Sequence, residues 1–174
     1  MNLGVVQRLL GKHQEAEVNI QQSMEIFRSS VGTNHIGMSL RCNALAHVYM
    51  GKGEYDKAEE MFLRDLEVRK RHLGPRHADL GYPLTGLGEL HFKTGEYRKA
   101  KKYLIQTIDI HEATLGKLHP VLGETYYELG LVYEQSHGPR KAREYFSKAW
   151  EILSKSLTST DKILKDLKQK LQHP

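Results

Sequence analysis

Alanines at positions 16, 58, 100 and 142 stand 42 residues apart with no insertion or deletion between them, and other columns keep the same step. The pairs Leu3 and Gly4, Leu45 and Ala46, Leu87 and Gly88, Leu129 and Gly130 share it. So do Gly11, Gly53 and Gly95, and His35, His77 and His119. A period of this length means stacked units, each too small to bury its own apolar face, which share a core with their neighbours. The 174 residues are therefore expected to form one array of about four units rather than two globular domains. Arrays of this kind present surface more often than they perform chemistry.

Residues 36–77 serve as the type unit. Leu40, Leu45, Val48 and Tyr49 recur at helical spacing, Gly51 and Gly53 interrupt, and a second helical stretch opens near Tyr55. The second helix carries its apolar stripe in columns: Ala16, Ala58, Ala100 and Ala142; then Ile20, Phe62, Leu104 and Phe146; then Met24, Leu66, Ile108 and Trp150; then Ile26, Val68, Ile110 and Ile152. The alanines let two helices approach closely. The glycine columns meet the need for a left-handed residue that ends a helix and turns the chain.

These columns resemble the tetratricopeptide repeat. Its pattern reads here as Leu45, Ala46, Tyr49, Gly53, Tyr55 and Ala58, and again as Leu87, Gly88, Gly95, Tyr97 and Ala100. The 42-residue form ending in Leu115, Gly116, His119 and Pro120 is similar to the variety in kinesin light chains and nephrocystin-3-type proteins. The resemblance implies an all-α, right-handed TPR superhelix (α-solenoid) of about four helix-turn-helix repeats. Their expected bounds are about 1–35 (short at its amino-terminal end), 36–77, 78–119 and 120–158, followed by a capping helix at about 159–172.

Local departures carry their own expectations. Pro139 should open its helix at the first position, and Gly81 and Pro83 should delay or bend the first helix of the third unit. The first unit offers few residues before its Leu3 and Gly4, so Val5 and Leu9 are expected at an incomplete, fraying end. In the last helix, Asp161 is the candidate cap, with Ile163, Leu164, Leu167 and Leu171 inward and Lys162, Lys165, Lys168 and Lys170 toward water.

No motif points to catalysis, a cofactor or a metal. The ten histidines lack partners at ligand spacing, and Cys42 shares the buried side of its helix with Leu45 and Tyr49. No apolar run approaches the roughly 18 residues of a membrane span, and no signal peptide is evident, so a soluble cytoplasmic protein without a membrane role is expected. Net charge is +5, from interspersed lysine, arginine and glutamate. Arg69, Lys70, Arg71 and His72 end a helix, where cations suit the dipole. Arg98, Lys99, Lys101 and Lys102 begin one, where cations are disfavoured, and they hint at an acidic partner.

One step around each first helix from its core column lie Asn43, His47 and Met50 with Leu40, then Tyr82, Thr85, Glu89 and Phe92, then Glu124, Tyr127, Leu131 and Glu134. The family resemblance implies that this face lines a concave groove holding extended or helical peptides. Its aromatic, aliphatic and acidic makeup suits a neutral or basic peptide of a partner protein, with Tyr127 as anchor. The function expected is a protein-interaction scaffold, free-standing or within a larger adaptor or signalling protein. The alternative is a nucleic-acid-associated factor using the basic face from Arg98 to Lys102, for which exposed aromatics and a recognition motif are missing.

Overall fold

The structure, a computed structural model, describes residues 12–32, 35–156 and 161–172. Among these residues it contains eight α-helices, one 3-10 turn and no strand. The amino-terminal expectations for Leu3, Gly4, Val5 and Leu9 lie outside the described residues. The chain divides into two compact units, residues 1–90 and 91–174, with the division inside the last turns of one helix.

Unit 1 contains α1 (His13–Val31), α2 (Gly37–Lys52), α3 (Tyr55–Leu73), the 3-10 turn Ala78–Leu80 and most of α4 (Gly81–Lys93). Helix α2 packs against both α1 and α3. The interior of the unit holds the expected Ala16, Ile20, Cys42, Leu45, Ala46, Val48, Ala58, Phe62 and Leu87, and with them Leu80 and Leu84, which no column had named. Ile26 departs from its column and is 68% exposed, whereas Val68 in the same column is buried. Turn chemistry explains the helix ends. Gly53 turns the chain at φ 76°, and Gly32 and Gly74 follow their helices at φ 86° and 91°, a region open to glycine. The delay at Gly81 and Pro83 takes the form of the 3-10 turn, after which α4 starts at Gly81.

Unit 2 contains α5 (Tyr97–Leu115), α6 (Pro120–Gln135), α7 (Pro139–Leu153) and α8 (Lys162–Gln172). Helix α6 packs on α5 and α7, and α7 packs on α8. Pro120 and Pro139 each open a helix, where the missing N–H costs no hydrogen bond. The small residue of the Leu-Gly pair has a visible reason in this unit. A Cβ at Gly130 would stand 2.5 Å from the Phe146 ring, so only glycine allows α6 and α7 this approach. His137 occupies the turn column of Gly53 and Gly95 and is itself left-handed, at φ 58°.

The loop histidines act alike. Nδ1 of His35, His77 and His119 accepts a hydrogen bond from the backbone N–H two residues on, at 3.0, 3.2 and 3.4 Å, at Gly37, Asp79 and Val121. Each satisfies a donor that a helix start leaves unpaired.

Candidate functional site

In unit 1 the surface built by α2 and α4 centres on a buried ion pair. Asp65 and Arg69 stand one turn apart on α3, with Arg69 Nε 2.5 Å from Asp65 Oδ1 and both side chains shut from solvent. Arg69 also reaches Asp79 Oδ2 at 3.6 Å, and its guanidinium lies 5.2 Å from the centre of the Tyr82 ring. Asn43 of α2 lies close enough to Asp65 to act on its carboxyl. Burial pushes the Asp65 carboxyl up to about 6, while Arg69 and then Asn43 oppose the rise. The opposition from Asn43 is weak, because its Nδ2 and Asp65 Oδ2 are buried without a well-formed hydrogen bond.

Around this pair the expected residues separate by environment. Tyr82 is 64% exposed and Leu40, one period earlier, is 50% exposed, so two large apolar side chains meet solvent on the first helices. Thr85, Glu89 and Asn43 are half-buried. His47 sets its ring edge-on to Phe62 at 5.0 Å and 87°, and Met50 is buried.

The equivalent face in unit 2 is bridged by α8. The Tyr127 hydroxyl donates to Asp166 Oδ2 at 2.7 Å, and Lys170 Nζ lies 2.7 Å from Glu134 Oε2. Residues one turn apart on α8 thereby clasp residues two turns apart on α6. Burial and the Asp166 carboxylate both raise the Tyr127 phenol above its ordinary range. Leu131 and Phe92 are partly buried against the core of this unit, and Glu124 is exposed. Lys170 corrects the expectation that it faces water. Its side chain is only 20% exposed and lies 5.3 Å from the Phe146 ring centre. Leu164 and Leu167 are buried, Ile163 and Leu171 are partly so, and Asp161 Oδ1 accepts from Ile163 N–H as a cap at 2.9 Å.

Sequence reasoning missed the role of Arg69, which it placed among cations complementing a helix end. The signal was present in Asp65, four residues earlier on the same face. Cys42 is buried as expected, and burial raises its thiol to about 11. Among the described residues no cluster of three His, Cys, Asp or Glu could hold a metal ion, and no helix is long and apolar enough to cross a membrane.

The tetratricopeptide repeat family matches residues 1–37, 38–113 and 83–155. Solved structures of the same architecture include a Podosopora anserina protein named for kinesin light chain, with nearly identical TPR-like repeats. It aligns at TM-score 0.80 and 22% identity over 98% of this chain and 80% of its own. BtubC (BKLC) from P. vanneervenii aligns at TM-score 0.84 and 16% identity, over 97% of this chain and 67% of its own. The apo form of RapI aligns at TM-score 0.77 and 24% identity, over 89% of this chain and 54% of its own. At these identities the likeness concerns the fold. No curated protein matches the sequence. With family matches running through nearly all of its helices, the chain belongs to the tetratricopeptide repeat family.

Proposed function

We propose that this tetratricopeptide-repeat scaffold takes up a peptide segment of a partner protein on the α2 and α4 face of unit 1, with Tyr82 as the anchor. The observation that carries this reading is Tyr82 itself, a largely exposed aromatic ring held against a buried guanidinium. Arg69 is fixed by Asp65 and Asp79, so the ring above it loses little freedom when a ligand covers it. Aromatic residues in such settings concentrate binding energy. Leu40 adds apolar area, Thr85 adds a polar group, Asn43 stands at the edge of the buried pair, and Glu89 favours a neutral or basic ligand.

Tyr127 is the weaker anchor, because its hydroxyl is already engaged by Asp166 and its ring is half covered. Glu124 and Leu131 remain as the unit 2 residues of the same kind. Selection of a displayed peptide library on the whole chain tests the reading. Enriched peptides should carry an apolar or aromatic residue beside neutral or basic ones and lose binding to Tyr82→Ala. Peptides that bind Tyr82→Ala equally well would overturn it.

A further inference from the structure

The two units differ more in charge than in fold. Residues 1–90 hold 11 Lys and Arg against 11 Asp and Glu, whereas residues 91–174 hold 15 against 10, so the whole net charge of +5 lies in unit 2. Much of the excess gathers at two helix starts. In α3 the first two turns carry Asp56, Glu59 and Glu60. The same 42-residue columns hold Arg98, Lys101 and Lys102 in α5, and Arg140, Arg143 and Glu144 in α7. Carboxylates near a helix N-terminus meet the positive end of its dipole, and cations there are disfavoured. The effect is confined to the first turn, where Asp56 of α3 gives way to Arg98 and Arg140, so at that column the reversal works against stability twice.

Both starts converge on Tyr133 of α6. Lys101 Nζ lies 4.8 Å from its ring centre and Lys141 Nζ 5.3 Å, and Lys101 also donates to Ser136 Oγ at 3.3 Å. Among the described residues, Arg98, Lys101, Lys102, Arg140 and Lys141 have no carboxylate at ion-pair distance, although Lys99 beside them is paired with Glu96 at 2.6 Å. Two ammonium groups are thus brought to one ring, at the positive ends of two helices, without a compensating anion.

We propose that this end of unit 2 docks an acidic, Asp- and Glu-rich segment of a partner protein across the first turns of α5 and α7. Charge complementarity selects the partner. Tyr133 is half-buried and stacked on Tyr145 at 5.3 Å and 15°, which leaves no open ring for a nucleic-acid base. None of the exposed large hydrophobic side chains falls within residues 94–102 or 133–143, so an anionic membrane would find no apolar side chain to insert. The residues of this surface all belong to unit 2, and the proposal does not rest on the Tyr82 reading.

The test is fluorescence anisotropy of a short labelled Asp/Glu-rich peptide titrated with the whole chain. Binding should weaken steeply as salt rises. Lys101→Glu with Lys141→Glu should lower affinity about tenfold or more, and Lys→Arg at both positions should keep it within about threefold. A cooperative melt of the Glu variant close to that of wild type separates lost binding from lost fold. Arg98→Gln with Lys102→Gln, clear of Tyr133, should weaken binding as well, and Tyr82→Ala should leave it unchanged. Equal binding of a Gln/Asn version of the peptide, an affinity within about twofold after charge reversal, or displacement of the peptide by a single-stranded oligonucleotide or phosphatidylserine vesicles at lower concentration would each overturn the proposal.

Discussion

Arg69 and Asp65 form an ion pair closed off from solvent on α3, and the outer side of Arg69 carries the exposed ring of Tyr82. A charge inside the fold thus fixes an aromatic side chain on its surface. The desolvation of both ions is offset only while both are present.

Arg69→Ala should therefore cost about 3–5 kcal/mol by leaving Asp65 buried and uncompensated, whereas Asp65→Leu with Arg69→Met should cost far less. Urea unfolding of the two variants checks this, and equal losses in the single and the double variant would argue against it. The same pair predicts a pH dependence. Asp65 titrates near 6 in the folded chain and near the ordinary 3.9 when unfolded, so between these values the folded state holds the extra proton. Its contribution to stability is full below about 4, falls as pH rises through about 6, and is level above. Asp65→Asn should remove that part of the slope.

His137 holds a left-handed turn that glycine holds in the two preceding units. His137→Gly should raise stability by up to about 1 kcal/mol, because relief of the Cβ clash outweighs the entropy that glycine adds to the unfolded chain. Thermal unfolding reads the change. A lower melting temperature would show that the imidazole contributes more than its backbone strain costs.

Cys42 is the only cysteine, so its chemistry is read without interference. Full burial and a thiol raised to about 11 leave almost no accessible thiolate at pH 8. Reaction with a disulfide reagent should be slow in the folded protein and fast in denaturant. A prompt native reaction would place this thiol at the surface.

Helix α8 is fastened to α6 by Tyr127 with Asp166 and by Glu134 with Lys170. Tyr127→Phe should cost about 0.5–1.5 kcal/mol, the usual worth of one hydrogen bond. It should also speed amide exchange in residues 162–172 more than in α5 or α7. Uniform exchange across these helices would mean that the bond does not hold α8.

The 42-residue columns made the helix positions legible because each column repeats one steric demand. Ala100 and Ala142 are buried as such a rule requires, and Gly130 sits where the Phe146 ring leaves no room for a methyl group. What the columns hide is which polar residues are drawn inward. Lys170 looks like its solvated neighbours Lys162, Lys165 and Lys168 until Glu134 is found opposite it, 36 residues away in the chain. Ile26 errs in the other direction, since periodicity marks a face without saying whether a neighbour covers it. The candidate face was legible as a set of positions, but the contrast between exposed Tyr82 and clasped Tyr127 depends on α8 and Arg69, which no single column contains.

The most direct measurement is calorimetric titration of one library-selected peptide into wild type, Tyr82→Ala and Tyr127→Phe. Binding energy centred on the unit 1 face predicts a loss of about 2 kcal/mol, roughly thirtyfold in affinity, for Tyr82→Ala and a change within about twofold for Tyr127→Phe. Undiminished binding to Tyr82→Ala, or a loss confined to Tyr127→Phe, would contradict it.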